Sequence, residues 1–314
     1  MLIAGPNLTF DRTVSVPALR PGEVLRATQV AVTPGGKGVN VARVCRELGQ
    51  PAVLAALLPG RTGAACAALL ADESIALRGV QVPGELRSAT VFLEDDGRAT
   101  VLNEPGPPLA PEDWGRFEAL VAEALAGHTV LACSGSLPPE APVDAYARLA
   151  AIARAAGAMA IVDISGEHLA AAVLRGADLV TPNLAEAEAM LHGRTDEIVA
   201  AGDEVRGRAE AAAVALVARG ARRALVTAAE AGAAFADVAG GRWYAAPGVG
   251  VVRNPIGAGD AVVGGVGVAL ERGAEWAVAV AAGLATGAAS VETEVAGLVD
   301  PARVAALTAL STPG

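Results

Sequence analysis

Aromatic residues are scarce in this chain: 314 positions hold three tryptophans, two tyrosines and four phenylalanines, 3% in all. A core without large rings has to come from valine, leucine, isoleucine and alanine. A hydrophobic share of 53% supplies them, as expected of a sheet covered by close-packed helices. Cysteine is scarcer still, and Cys45, Cys66 and Cys133 stand apart with no paired metal spacing. That pattern implies no disulfide framework and suits reduced, buried thiols in a cytoplasm. Basic charge is short as well: 24 lysines and arginines face 34 acids, for a formal net charge of -10, and no basic run stands out. Nucleic acid is therefore not an expected partner. Met1 to Asp11 shows no basic segment followed by an apolar core, so no signal peptide is expected. The longest apolar region, Ala261 to Val291, is interrupted by Glu271, Arg272 and Glu275, which leaves two core helices rather than a membrane span.

What is present is a repeating alternation. Helical spacing occupies 38–48, 62–72, 112–126, 142–156, 184–191, 203–219 and 275–289, and short apolar strands fall near 1–5, 52–57, 129–133, 159–164, 178–181 and 223–227. Strands alternating with helices predict a parallel sheet wrapped by helices. Two segments depart from the rhythm. Leu8 to Val16 and Val24 to Thr33 alternate polar and apolar residues across Pro21-Gly22, and Ser88 to Glu94 and Arg98 to Asn103 do so across Asp95-Asp96-Gly97. These hairpins predict a small accessory sheet, a lid or a dimer contact, from about 8–33 and 86–104 of a single domain spanning 1–314.

The most informative stretch is Asn254-Pro255-Ile256-Gly257-Ala258-Gly259-Asp260. A glycine turn feeding an uncharged helix points the N–H groups of Gly257, Ala258 and Gly259 at one spot, where the helix dipole favours an anion. A phosphoryl group in flight fits there, with Asp260 accepting a proton from the attacking hydroxyl; capping of the helix start is the simpler role for the same acid. Pro34-Gly35-Gly36-Lys37-Gly38-Val39-Asn40 opens a second helix, and its glycines, Lys37 and Asn40 suit a polyhydroxyl or phosphorylated compound. It is not a Walker A loop, since no GxxxxG precedes the lysine. Ser134-Gly135-Ser136 follows a strand, at the edge where open α/β sheets bind ligands. Asn183 and Glu186, one helical turn apart, can organise hydrated Mg²⁺ or cap a helix. His128, His168 and His192 sit in no catalytic pattern.

Taken in order, these stretches resemble the ribokinase-like carbohydrate kinases of the PfkB family, and within it the phosphosugar branch of 1-phosphofructokinase, tagatose-6-phosphate kinase and the minor 6-phosphofructokinase. The segments that carry the likeness are Asp11, Gly35 to Arg43, Gly84 to Arg87, Asn103 to Pro107, Ser134 to Pro139 and Gly257 to Asp260. The resemblance implies an α/β fold with a central, mostly parallel sheet flanked by helices and a small β-sheet lid. It implies phosphorylation of a sugar phosphate by ATP with Mg²⁺, fructose 1-phosphate being the favoured acceptor ahead of tagatose 6-phosphate and fructose 6-phosphate, and a homodimer through the lid sheets. Asp260 would be the base and the Gly257–Gly259 amides the anion hole. Asp11, Gly36 and Asn40 would bind sugar hydroxyls, Ser136 would touch the substrate, and Lys37, Arg87 and Arg26 would receive its phosphate. Thr227 and Gly232, with Asn183, would line the nucleotide, and Asn183 and Glu186 would act on the metal through water. Three departures stand out. Thr181 replaces a lysine common before Pro-Asn, Ala229 replaces a glycine in the loop from Thr227 to Gly232, and Val24 stands where some 6-phosphofructokinase relatives carry lysine.

Overall fold

Short apolar segments followed by helices leave the chain little choice but to lay its strands side by side in parallel. A computed structural model describes residues 1–193 and 203–309. Strand β1 (Leu2–Ala4) leads first into two strands of another sheet, β2 (Thr9–Val16) and β3 (Gln29–Gly35), and then into α1 (Lys37–Glu47). The rhythm resumes with β4 (Val53–Pro59), α2 (Gly60–Asp72) and β5 (Ala76–Val82), before a second detour through β6 (Arg87–Glu94) and β7 (Ala99–Asn103). After α3 (Pro111–Ala124) come β8 (Val130–Ser134), α4 (Ala145–Ala155), β9 (Met159–Asp163), α5 (Gly166–Leu174) and β10 (Leu179–Val180). Helices α6 (Leu184–His192) and α7 (Asp203–Ala218) then lead to β11 (Ala224–Thr227). A hairpin, β12 (Gly232–Asp237) and β13 (Gly240–Ala245), precedes α8 (Ala258–Glu271), α9 (Trp276–Ser290) and α10 (Pro301–Thr308).

The large sheet has nine strands in the order β13-β12-β11-β10-β9-β8-β1-β4-β5, parallel throughout except for the hairpin at one edge. The strand order turns back between β1 and β8, and the loops after those two strands open a crevice there. Both faces are covered, which is why Leu2, Ile3, Leu54, Leu131, Ile161, Leu179 and Leu225 are all buried. The apolar region 261–291 is a helical pair, as its interrupting charges suggest. The pair packs closely because glycines face it: a Cβ on Gly265 would lie 2.4 Å from Thr286 Oγ1, and one on Gly283 2.5 Å from Val266 Cγ2.

The two hairpins join into one four-stranded sheet, β3-β2-β6-β7, through parallel pairing of β2 with β6. The first hairpin is shorter than its alternation suggests: residues 24–28 lie outside the strands, and β3 runs instead to Gly35. Five elements have no counterpart in the sequence reading: β5, α5, the two strands of the β12–β13 hairpin, and α10. In β5 the apolar residues are interrupted by Arg78, Gly79 and Gln81, and Gly79 gives room to the Leu58 side chain, whose Cδ1 would lie 2.2 Å from a Cβ there. In β12 three alanines leave no strand signature, and only pairing on both sides makes them a strand. Among the described residues, no helix is long and apolar enough to cross a membrane.

Candidate active site

Every strand of the parallel sheet that carries a candidate residue delivers it at its carboxyl end. β1 leads to Asn7, β8 ends in Ser134 and leads to Ser136, β9 ends in Asp163, β10 leads to Asn183, and β11 ends in Thr227. Asn7 Nδ2 donates to Ser136 Oγ at 3.1 Å, which ties the two loops at the switch point. Asn183 and Thr227 meet in a bridge that extends the β10–β11 pairing.

Two helix N-termini face this edge. In α1, Gly36 takes φ 106°, a conformation that favours glycine, and the amides of Lys37 and Gly38 find no acceptor among the described residues. In α8, Gly257 takes φ 83°, and a Cβ there would lie 2.9 Å from Ala296 Cβ. The amides of Gly257 and Gly259 have no partner among the described residues, while that of Ala258 leans toward Pro255 O at 3.4 Å. The expected cradle is therefore present, with its middle donor partly turned aside.

Asp260 lies in the first turn of α8, 5% exposed, and Asn40 Nδ2 donates to its Oδ2 at 2.7 Å. Burial raises its carboxyl to about 7; the charges of Asp163 and Glu186 push the same way, and Lys37 and the Asn40 hydrogen bond oppose them. A carboxyl so placed is ready to exchange a proton near neutrality. Lys37 Nζ donates to Asp163 Oδ2 at 2.9 Å. Burial alone would depress that ammonium, but Asp163, Asp260 and Glu186 hold it above its ordinary range. The Thr181 hydroxyl reaches Asp163 Oδ1 at 3.4 Å, on the other side of the same carboxylate.

Beside the α1 N-terminus is a small pocket lined by Asn7, Gly36, Lys37, Gly38, Arg87 and Ser136, among others. Arg87 is held by long hydrogen bonds to the carbonyls of Asn7 (3.3 Å) and Glu104 (3.4 Å), while its Nε is buried without a partner. Burial lowers the Arg87 pKa from its ordinary value. Asp11, on β2, approaches Gly35 so closely that a Cβ there would lie 2.1 Å from its carboxylate. Its carboxyl is raised by burial and pulled back by Arg43 and Arg87. A second cleft, about 360 Å³, runs past Thr227, Ala229, Glu230 and Gly232 to Ala258 and Gly259, between apolar walls that include Val249, Val252 and Leu284. One site thus combines an anion-friendly pocket, an elongated cleft and a buried acid where α1 meets α8.

Residues 7–303 match the pfkB family carbohydrate kinases. The chain belongs to that family. It is 34% identical over 265 residues to 1-phosphofructokinase of Rhodobacter capsulatus, covering 83% of this chain and 80% of the relative. It is 32% identical over 294 residues to ATP-dependent 6-phosphofructokinase isozyme 2 of Escherichia coli (strain K12), covering 92% and 91%. The solved structure of phosphofructokinase-2 from Escherichia coli in complex with fructose-6-phosphate aligns with 99% of this chain and 98% of its own, at 29% identity and a TM-score of 0.85. The PfkB kinase described here is accordingly a phosphotransferase that phosphorylates a sugar phosphate from ATP.

The fold gathers nearly all the expected site residues of this kinase. Asp260, Gly257, Ala258, Gly259, Gly36, Lys37, Asn40, Arg87, Ser136 and Asp11 lie around the α1–α8 junction, and Thr227, Gly232 and Asn183 at the neighbouring cleft. Arg26 does not join them: it is exposed between β2 and β3, with no hydrogen bond or ion pair among the described residues. Asn183 and Glu186 form a reciprocal capping box, Asn183 Oδ1 accepting from Glu186 N at 2.8 Å and Glu186 Oε2 from Asn183 N at 2.9 Å. Asp163 escaped the sequence reading. Its only signal was an acid closing an apolar strand, at the edge where ligands bind.

Proposed function

We propose that this kinase transfers the γ-phosphoryl group of ATP to fructose 1-phosphate, giving fructose 1,6-bisphosphate, with Asp260 as the general base. The observation that carries the reading is the burial of Asp260 against Asn40, directly after the amide cradle in the first turn of α8. The acceptor's phosphate is held at the α1 N-terminus by the free amides of Lys37 and Gly38, by Arg87, and by Ser136 and Asn7; its hydroxyls meet Asp11, Gly36 and Asn40. The acceptor hydroxyl gives its proton to Asp260 as it attacks, and the amides of Gly257 and Gly259 stabilise the charge on the phosphoryl oxygens.

The elongated cleft falls within the usual size range of small-molecule sites, and its apolar walls suit a nucleobase. Among the described residues, no group of three metal-ligating side chains occurs. That suits Mg²⁺, which keeps several waters and needs few carboxylates. Glu186, with Asn183, would hold it through water, and the ion when bound neutralises phosphate charge. Val24 supports fructose 1-phosphate over fructose 6-phosphate, because it is exposed and brings no cation to the small sheet. Exposed Val30, Val32, Val101 and Leu102 on that sheet support its reading as a lid that also pairs two copies of the chain.

The test is ADP release from Mg-ATP with fructose 1-phosphate, fructose 6-phosphate, tagatose 6-phosphate, fructose and ribose side by side. Highest kcat/KM on fructose 1-phosphate is expected. Preference for another phosphorylated sugar would replace the acceptor, and silence on all three would end the reading.

A further inference from the structure

Which end of an amide faces a carboxylate decides whether the contact favours its charge or its proton. Asn40 presents Nδ2 to Asp260, and turning the amide over would present an oxygen instead, with almost no change in shape. The other end of the side chain explains the choice. Arg43 Nη1 donates to Asn40 Oδ1 at 3.3 Å, from one turn further along α1. A guanidinium has donors and no acceptor, so only the oxygen of Asn40 can face it.

Arg43 is itself immobilised. It is 3% exposed, and its Nε and Nη2 reach the two oxygens of Glu73 at 2.7 Å each, in the paired geometry that fixes a guanidinium plane. Nη2 also donates to Pro34 O at 2.8 Å. Arg46 supports Glu73 from the next turn of α1, donating to its carbonyl at 2.7 Å. The backbone is closed over this chain of contacts: a Cβ on Gly297 would lie 2.7 Å from Asn40 O and 3.1 Å from Arg43 Cβ.

We propose that Arg43, clamped by Glu73, is a positioning residue that locks the Asn40 amide with its nitrogen toward Asp260 and so keeps that carboxylate able to accept a proton. The inference rests on the reading of Asp260 as base. The other groups that act on Asp260 are Lys37 from α1, which favours its charge, and Asp163 at the end of β9 and Glu186 on α6, which oppose it. Arg43 works through Asn40; the carboxylates that feel its own charge are Glu73, after α2, and Asp11, on β2.

The experiment follows kcat against pH at saturating sugar phosphate and Mg-ATP. Removing both halves of the buried pair in Arg43→Met/Glu73→Met leaves neither partner as a lone charge, and Arg46 keeps Glu47, which avoids the main folding hazard. With the lock gone, the acid limb of kcat is expected to move up by about one pH unit, the worth of a hydrogen bond to an ionised group. Glu73→Gln still offers Arg43 an acceptor and is expected to lower Tm without moving the limb. Arg43→Lys keeps a donor and is expected to return the limb toward wild type. A limb unmoved in the double variant would overturn the proposal. So would an equal shift in Glu73→Gln, or no recovery with lysine. If the wild-type profile is flat and Asp260→Asn turns over normally, the base reading falls and takes this proposal with it; a wild-type limb that the double variant leaves in place removes this proposal alone.

Discussion

Replacing Asp260 by asparagine should damage turnover and strengthen the fold at the same time. Asparagine keeps an oxygen for the Asn40 Nδ2 contact at 2.7 Å but cannot take a proton, so kcat is expected to fall by roughly 10²–10⁴. The stability change follows from the proton affinity. The carboxyl lies at about 7 in the folded chain, against 3.8 for the ordinary group, so the native state binds this proton more tightly than the unfolded chain does. The ionised carboxylate therefore costs stability. The cost is full above about pH 7 and disappears as the pH falls through 7 toward 4. The difference corresponds to a ceiling of roughly 4 kcal/mol. For a chain of this length that is a rise in Tm of about 6 °C. Melting curves of both proteins at about pH 8 and about pH 5 should show the variant ahead at the higher pH and the gap closing at the lower one. A gap equal at both would refute the assigned proton affinity, and near-normal kcat would remove Asp260 from the base role.

Arg87→Ala should raise KM for the sugar phosphate by about 10- to 100-fold and change kcat far less, since a charged hydrogen-bond donor is worth roughly 1.5–3 kcal/mol; steady-state kinetics on fructose 1-phosphate would show it. Asp163→Asn removes a negative charge that opposes ionisation of Asp260, so the acid limb of kcat should shift to lower pH, opposite to the loss of Arg43. Ala229 holds φ 48°, where a side chain is strained. Ala229→Gly should therefore leave stability within about 1 kcal/mol of wild type or improve it slightly, strain relief and added unfolded-chain freedom nearly cancelling; thermal melts decide.

The alternation of apolar strands and helices made the main sheet legible, and the glycine turns marked both helix N-termini. Those signals are local. Glycine is the residue that can enter a helix from a positive φ, and Gly36 and Gly257 do so. That the hairpins share a small accessory sheet was legible from their departure from the rhythm; their parallel β2–β6 pairing was not, because it lies between segments far apart in sequence whose alternation says nothing of a partner. Asp163 and Arg43 were missed for a related reason. Each matters through what it touches, Lys37 in one case and Asn40 with Glu73 in the other, and those contacts exist only after folding. Glu186 shows the converse: its spacing from Asn183 was clear, and the structure gives that spacing a capping function alongside any role toward a metal.

Only Gly36 separates the last residue of β3 from the first of α1, and the base row of the small sheet pairs Thr9 with both Gly35 and Arg87. Arg87, the first residue of β6, and Gly36 both line the small pocket, so the lowest rung of the sheet adjoins the pocket's rim. A swing of the four strands would carry the Arg87 backbone and reach the amides of Lys37 and Gly38 through Gly36 alone. If the small sheet closes as the proposed lid, gripping the acceptor and shutting out water become one motion, and a sugar too short to span Arg87 and α1 would have no purchase with which to close it.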